Sequence, residues 1–168
     1  MTRKSHILVV MLIAIGTIGI GASPASAAAR DQVPFQASFT GAANFTSQTT
    51  ALFKGTGHAT YLGLSTNENH ITVLGPATSC PGGFVNENDE TLTAANGDQL
   101  MLTGPHDVGC PSPTDPTVVH GTGAWTVAGG TGRFAGATGQ GTFVGGADFN
   151  TGTFNFQLTG TISAPGSN

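Results

Sequence analysis

Charge is what this sequence has least of. Only 8% of its 168 residues are Asp, Glu, Lys or Arg, against roughly a quarter in an average soluble domain. Two of the five cations, Arg3 and Lys4, sit at the very start of the chain. Past residue 27 only Arg30, Lys54 and Arg133 remain, facing nine acids for a formal charge of −6. No nucleic-acid partner is expected, because a polyanion needs clustered Lys and Arg to hold it. An anionic lipid surface is excluded for the same reason. Long helices draw on Glu, Lys and Arg beside Ala and Leu, so a helical bundle or coiled coil is excluded too. Disorder is also ruled out, since apolar positions recur regularly and charge is too sparse to keep the chain open.

Long apolar runs are lacking as well, except at the N-terminus. There Ile7–Ile20 is apolar apart from Gly16, Thr17 and Gly19, behind Arg3 and Lys4 and ahead of Pro24. Ala25-Ser26-Ala27 supplies the small-x-small pattern of a signal-peptidase site, which predicts cleavage after Ala27. The run falls short of the ~20 residues that cross a bilayer, so no membrane anchor is expected. Residues 1–27 therefore read as a secretory signal peptide, and residues 28–168 as one secreted, extracellular domain.

Cysteine occurs only as Cys80 and Cys110. In an exported chain an even pair is most simply a disulfide. A two-thiolate metal site or a thiol nucleophile has no partner at suitable spacing.

What is present in excess is glycine, 26 residues or about 15% of the chain, twice ordinary usage. β-rich segments recur between Gly, Asn, Asp and Pro, the pattern of an antiparallel sheet or barrel. Phe35, Ala37 and Phe39 alternate with polar residues, and further strands are expected over 51–63 and 71–74. A fourth, broken strand covers 83–87 and 90–94, and Asn96-Gly97-Asp98 turns into Gln99–Thr103. The stretch Gly104–Pro116 reads as a Pro-rich loop, followed by strands over 117–128, 139–149 and 153–163. In the last of these Phe154, Phe156, Leu158 and Ile162 share one face. About eight such strands suit a closed antiparallel barrel or a two-sheet sandwich. Glycines inside strands (Gly55, Gly57, Gly121, Gly123, Gly141) favour the barrel, whose curvature needs positions without side chains.

The segment Gly129–Gly139, GGTGRFAGATG, is the most distinctive in the chain. Gly130, Gly132 and Ala135 match the spacing of a dinucleotide fingerprint, but Ala-Thr-Gly-Gln-Gly-Thr cannot sustain the helix that such a site requires. The segment therefore predicts a tight connection, with at most one helical turn carrying Arg133 and Phe134. It resembles the GGTG-[KR]-F-x-G-A-x-G hallmark of plant dirigent proteins and, more loosely, the allene oxide cyclase barrel. GTGHATYLG at Gly55–Gly63, AANGDQL at Ala94–Leu100 and the ending ADFNTGTFNFQLTGTIS are similar to small secreted bacterial proteins of that type. The resemblance covers most of residues 33–164. It implies an eight-stranded barrel with a cavity for an apolar small molecule, and a trimer among the oligomeric states that the sequence leaves open. Gly129, Gly130, Gly132, Arg133, Phe134, Gly136 and Gly139 would then be architectural.

No catalytic constellation stands out. His58 and His120 lie on Gly/Thr-rich strands and, with Glu68, are the candidates for acid–base groups facing a cavity. Asn86, Asn88 and Glu90 alternate and could offer oxygens to a cation, but the glycine and distant Glu of a calcium loop are missing. The segment 86–90 is read instead as a solvated acidic turn. The mature histidines lack zinc-ligand spacing, no G-x-S-x-G elbow occurs, and no metal or cofactor is expected. The leading expectation is a secreted barrel that binds an apolar small molecule. A cyclase or coupling-guide enzyme on the same barrel and a cell-surface structural protein are the alternatives.

Overall fold

The computed structural model describes residues 31–166. The expected signal peptide and its Ala27 cleavage point lie outside the described residues. The described chain is all-β: β1 (Gln32–Phe45), β2 (Thr50–Ala59), β3 (Gly63–Pro76), β4 (Phe84–Ala94), β5 (Gln99–Pro111), β6 (Val118–Gly130), β7 (Gly139–Asp148) and β8 (Thr153–Ser163). Each strand pairs antiparallel with its sequence neighbours, and β8 returns to β1, closing an eight-stranded up-and-down barrel. A two-sheet sandwich is thereby set aside. Closure leaves no unpaired sheet edge.

The period-2 patterning explains which face turns inward. Along β1, Phe35, Ala37 and Phe39 are buried while Gln36, Ser38 and Thr40 are exposed. Along β8, Phe154, Phe156, Leu158 and Ile162 face the interior opposite an outer row of Thr, Asn and Gln. An eight-stranded barrel has an interior just wide enough for side chains to fill it or to leave room for one small ligand. Inward glycines give the aromatic rings their space. A Cβ at Gly141 would meet the Trp125 ring at 2.4 Å, and one at Gly160 would meet it at 2.7 Å. Trp125 lies across both strands, packs edge-on against Phe35 at 5.7 Å, and donates its indole N–H to the Thr142 carbonyl at 3.0 Å.

The two ends of the barrel differ. One end, bounded by the connections 60–62, 95–98 and 131–138, is packed solid. Leu92, Leu100, Phe134 and Ile162 are all fully buried there. The glycine segment forms this plug: Gly132–Phe134 makes a single 3₁₀ turn that drops Phe134 into the barrel. Gly132 has φ +55°, and a Cβ there would lie 1.8 Å from an Asp98 carboxyl oxygen, so any other residue would be strained and would push that carboxylate aside. Arg133 donates its Nε–H to Asp98 at 2.7 Å, tying the turn to the β4–β5 connection.

The opposite end carries the connections 46–49, 77–83, 112–117 and 149–152. The Cys80–Cys110 disulfide crosses this rim, joining the β3–β4 connection to the end of β5. On the chain-entropy account, closing a loop of this length stabilises the fold by about 3–4 kcal/mol.

Two expectations need correction here. The stretch Gly104–Pro116 is not one loop, since β5 continues to Pro111. A register shift between Thr103 and Val108 lets exposed Pro105 and His106 bulge out of the ladder. A proline without an N–H is tolerated at such a bulge. Nor is 86–90 a turn, because those residues run through the middle of β4, with only Glu87 and Asp89 facing solvent.

Candidate functional site

Above the plug, toward the disulfide end, the barrel interior is not filled. A cavity of about 280 Å³ lies there, just below the usual range of roughly 300–1,000 Å³ for small-molecule sites. Its walls are mostly apolar. Phe45, Phe53, Phe143, Phe149, Phe154 and Trp125 supply rings, and Ala51, Ile71, Val73, Val119 and Leu158 fill between them. The rings form a continuous series: Phe45 stacks on Phe149 at 4.4 Å, Phe53 on Phe154 at 5.1 Å, and Phe154 on Phe156 at 5.6 Å.

One wall is polar. It is built from β3, β4 and β5 and presents Asn69, Asn86, Asn88, Glu90 and Asp107 to the cavity. On β4 the alternation that buries Leu92 and Ala94 also turns Asn86, Asn88 and Glu90 inward. Asp107 arrives by a different route. In unbroken alternation from Leu100 and Leu102 it would face out; the bulge at Pro105-His106 reverses the phase and buries it to 1% exposure. Its carboxylate occupies space kept free by two glycines. A Cβ at Gly123 would lie 1.6 Å from Asp107 Oδ1, and one at Gly104 would lie 2.7 Å from Oδ2.

Hydrogen bonds on this wall are few. Asn67 donates Nδ2–H to Glu90 Oε1 at 3.3 Å, and Asn88 donates Nδ2–H to Asp107 Oδ2. Three buried oxygens, Asn67 Oδ1, Asn69 Oδ1 and Asp107 Oδ1, accept no hydrogen bond from the protein. Burial pushes the Glu90 carboxyl up to about 8; the Asn67 amide opposes this and the nearby Asp107 adds to it. Glu90 is therefore protonated at neutral pH and brings an O–H donor to this wall. Burial also raises Asp107, to about 6, against the Asn88 amide, the Ala124 backbone and the His106 charge. Burial thus raises both acids of this one wall.

The residues singled out from the sequence lie elsewhere. His58 and His120 are exposed on the outer faces of β2 and β6. Glu68 is on the outside of β3, 2.9 Å from Lys54 Nζ and 3.0 Å from His70 Nε2, and these partners hold its carboxyl below the usual range. None of the three faces the cavity, so any interior acid–base role falls to Glu90 and Asp107 instead. Sequence reasoning placed Glu90 in a solvated turn and gave Asp107 no role. The signal for Asp107 was Gly104-Pro105, a bulge marker inside an otherwise alternating run. Among the described residues no three His, Cys, Asp or Glu side chains gather to hold a metal ion.

The chain matches no family model, no curated protein and no solved structure.

Proposed function

We propose that this chain is an exported β-barrel that binds an apolar small molecule in its interior. The observation that carries the reading is the cavity of about 280 Å³, walled by aromatic and aliphatic side chains on most sides and by convergent polar groups on one. A concave, mostly apolar space with a few placed polar groups is the usual form of a ligand site. The solid plug below it supports the same reading. Phe134, Leu100 and Ile162 hold one end of the barrel rigid, so the opening above does not have to be assembled on binding. Export is supported by the leader-like N-terminus and is compatible with the Cys80–Cys110 disulfide. The dirigent-like glycine segment, which here forms the plug, supports an affinity with the dirigent and allene oxide cyclase barrels.

Trp125 is the chain's only tryptophan and lines the cavity, which makes it an internal reporter. Titration with N-phenyl-1-naphthylamine, an apolar fluorophore, should quench Trp125 emission saturably at one molecule per chain. Emission that does not change, or changes without saturating, would overturn the reading.

A second reading, an isomerase or cyclase on the same barrel, is favoured by one observation. Glu90 is an acid kept neutral by burial beside an apolar chamber, a suitable proton donor for acid–base chemistry. Mass analysis of a bound molecule before and after incubation separates the two: a binding module returns it unchanged, and an enzyme returns an isomer.

A further inference from the structure

The polar wall of the cavity is one-sided in its chemistry. It offers two carboxyl groups, Glu90 and Asp107, yet among the described residues no Lys or Arg side chain lines it. Of the Lys and Arg residues described, Lys54 lies on the outer face of β2 and Arg133 in the exposed 3₁₀ turn. Two of the cavity-lining residues, Asn69 and Asp107, each keep a buried oxygen without a protein partner, Asn69 Oδ1 and Asp107 Oδ1, and both are acceptors. The Asp107 side chain is almost wholly withdrawn from solvent. A buried carboxyl is costly unless it is paired with a positive group and hydrogen-bonded. The missing complement is therefore a donor with positive charge.

We propose that the cavity takes an apolar molecule bearing a protonated amine, whose N–H groups donate to Asp107 and Asn69 beside Glu90 while its apolar body lies among the phenyl rings. The proposal rests on the cavity reading above and names the ligand class. Two features favour an organic ammonium over a bare divalent ion. The rest of the lining includes Phe53, Phe143, Phe154 and Trp125, so a small hydrated ion would have much of its shell against hydrocarbon. Calcium seeks six to eight oxygens. An alkylammonium needs only two or three acceptors, and aromatic faces add cation–π attraction. The groups facing the carboxyls are neutral amides from β3 and β4 (Asn67, Asn69, Asn86 and Asn88) and the Gly123–Ala124 backbone of β6. His106, exposed at the β5 bulge, is the one other titratable group whose charge reaches Asp107.

The test is calorimetric titration of the protein with 4-phenylbutylamine, 4-phenylbutan-1-ol, 4-phenylbutyrate and calcium chloride, at pH 7.5 and at pH 4.5. The amine should bind at least about tenfold more tightly than the alcohol at pH 7.5, as expected for hydrogen bonds to a charged acceptor. That advantage should disappear at pH 4.5, where both carboxyls are neutral, and in Asp107→Asn at pH 7.5. The pH comparison uses the unaltered protein, so the proposal stays testable if the variant folds poorly. Alcohol or carboxylate binding as tight as the amine would overturn the ligand class and leave the cavity reading standing. No binding by any of the three organic compounds would overturn both. Calcium that binds and blocks the amine would replace the proposal with a metal site.

Discussion

Replacing Glu90 by Gln should make this protein more stable, and the gain should depend on pH. Glu90 is 4% exposed and its carboxyl is pushed by burial from an ordinary 4.5 up to about 8. Because the folded-state value lies above the unfolded one, the folded chain holds a proton that the unfolded chain releases between those limits. Stability from this group is therefore undiminished below pH 4.5 and falls as pH rises toward 8. At 1.36 kcal/mol per unit, the loss is about 3 kcal/mol at pH 7 and about 5 kcal/mol above pH 8. Glutamine keeps the shape and the oxygen that accepts from Asn67, and its amide cannot ionise. For a chain of this size about 3 kcal/mol corresponds to roughly 10 °C in Tm. Tm by circular dichroism at pH 4.5, 7 and 8.5 checks this. The native protein should lose stability across the series, and Glu90→Gln should change much less between pH 7 and 8.5, a range above the Asp107 titration near 6. The two should converge at pH 4.5. A native Tm that is flat or rises from pH 4.5 to 8.5, or a variant less stable than the native protein at pH 8.5, would refute the reasoning.

Other perturbations reach other parts of the account. Phe134→Ala removes the plug and should cost about 3–5 kcal/mol in urea unfolding, the range for a buried ring; a cost under 1 kcal/mol would deny the plug its role. The double change Cys80→Ser with Cys110→Ser should cost about 3–4 kcal/mol. Free-thiol titration of the native protein should find no reactive cysteine, because both are paired. Gly123→Ala places a Cβ 1.6 Å from Asp107 Oδ1 and must displace that carboxyl. It should destabilise by about 1–3 kcal/mol and shift Trp125 emission, and an unchanged protein would mean that Asp107 does not sit where described.

The barrel was legible because its strands announce themselves one at a time. β8 alternates Phe154, Phe156 and Leu158 with polar neighbours, and glycines at 55, 57, 123 and 141 stand where inward rings or a carboxyl need room. The plug was legible too, since a glycine-rich segment that cannot hold a helix leaves little but a short turn around Arg133 and Phe134. The polar wall was not. Asn86 through Glu90 looks like a solvated turn because its composition is polar, and composition outweighs alternation when every residue is hydrophilic. That Asn86, Asn88 and Glu90 alternate with Glu87 and Asp89 was visible, but the burial of that face depends on what β3 and β5 place beside it. Asp107 was hidden by a phase reversal: Pro105-His106 adds a bulge, and one added residue turns an outward carboxylate inward. The histidines failed for the converse reason. His58 and His120 neighbour inward glycines, and in a strand the neighbours of an inward residue face out.

The most direct test of the central claim is native mass spectrometry of protein purified from its culture medium, followed by organic extraction. The purified chain should be cleaved after Ala27, carry one disulfide and either retain an apolar molecule or take up one equivalent of N-phenyl-1-naphthylamine. An intact disulfide-bonded barrel that arrives empty and stays empty with every apolar compound offered would contradict it.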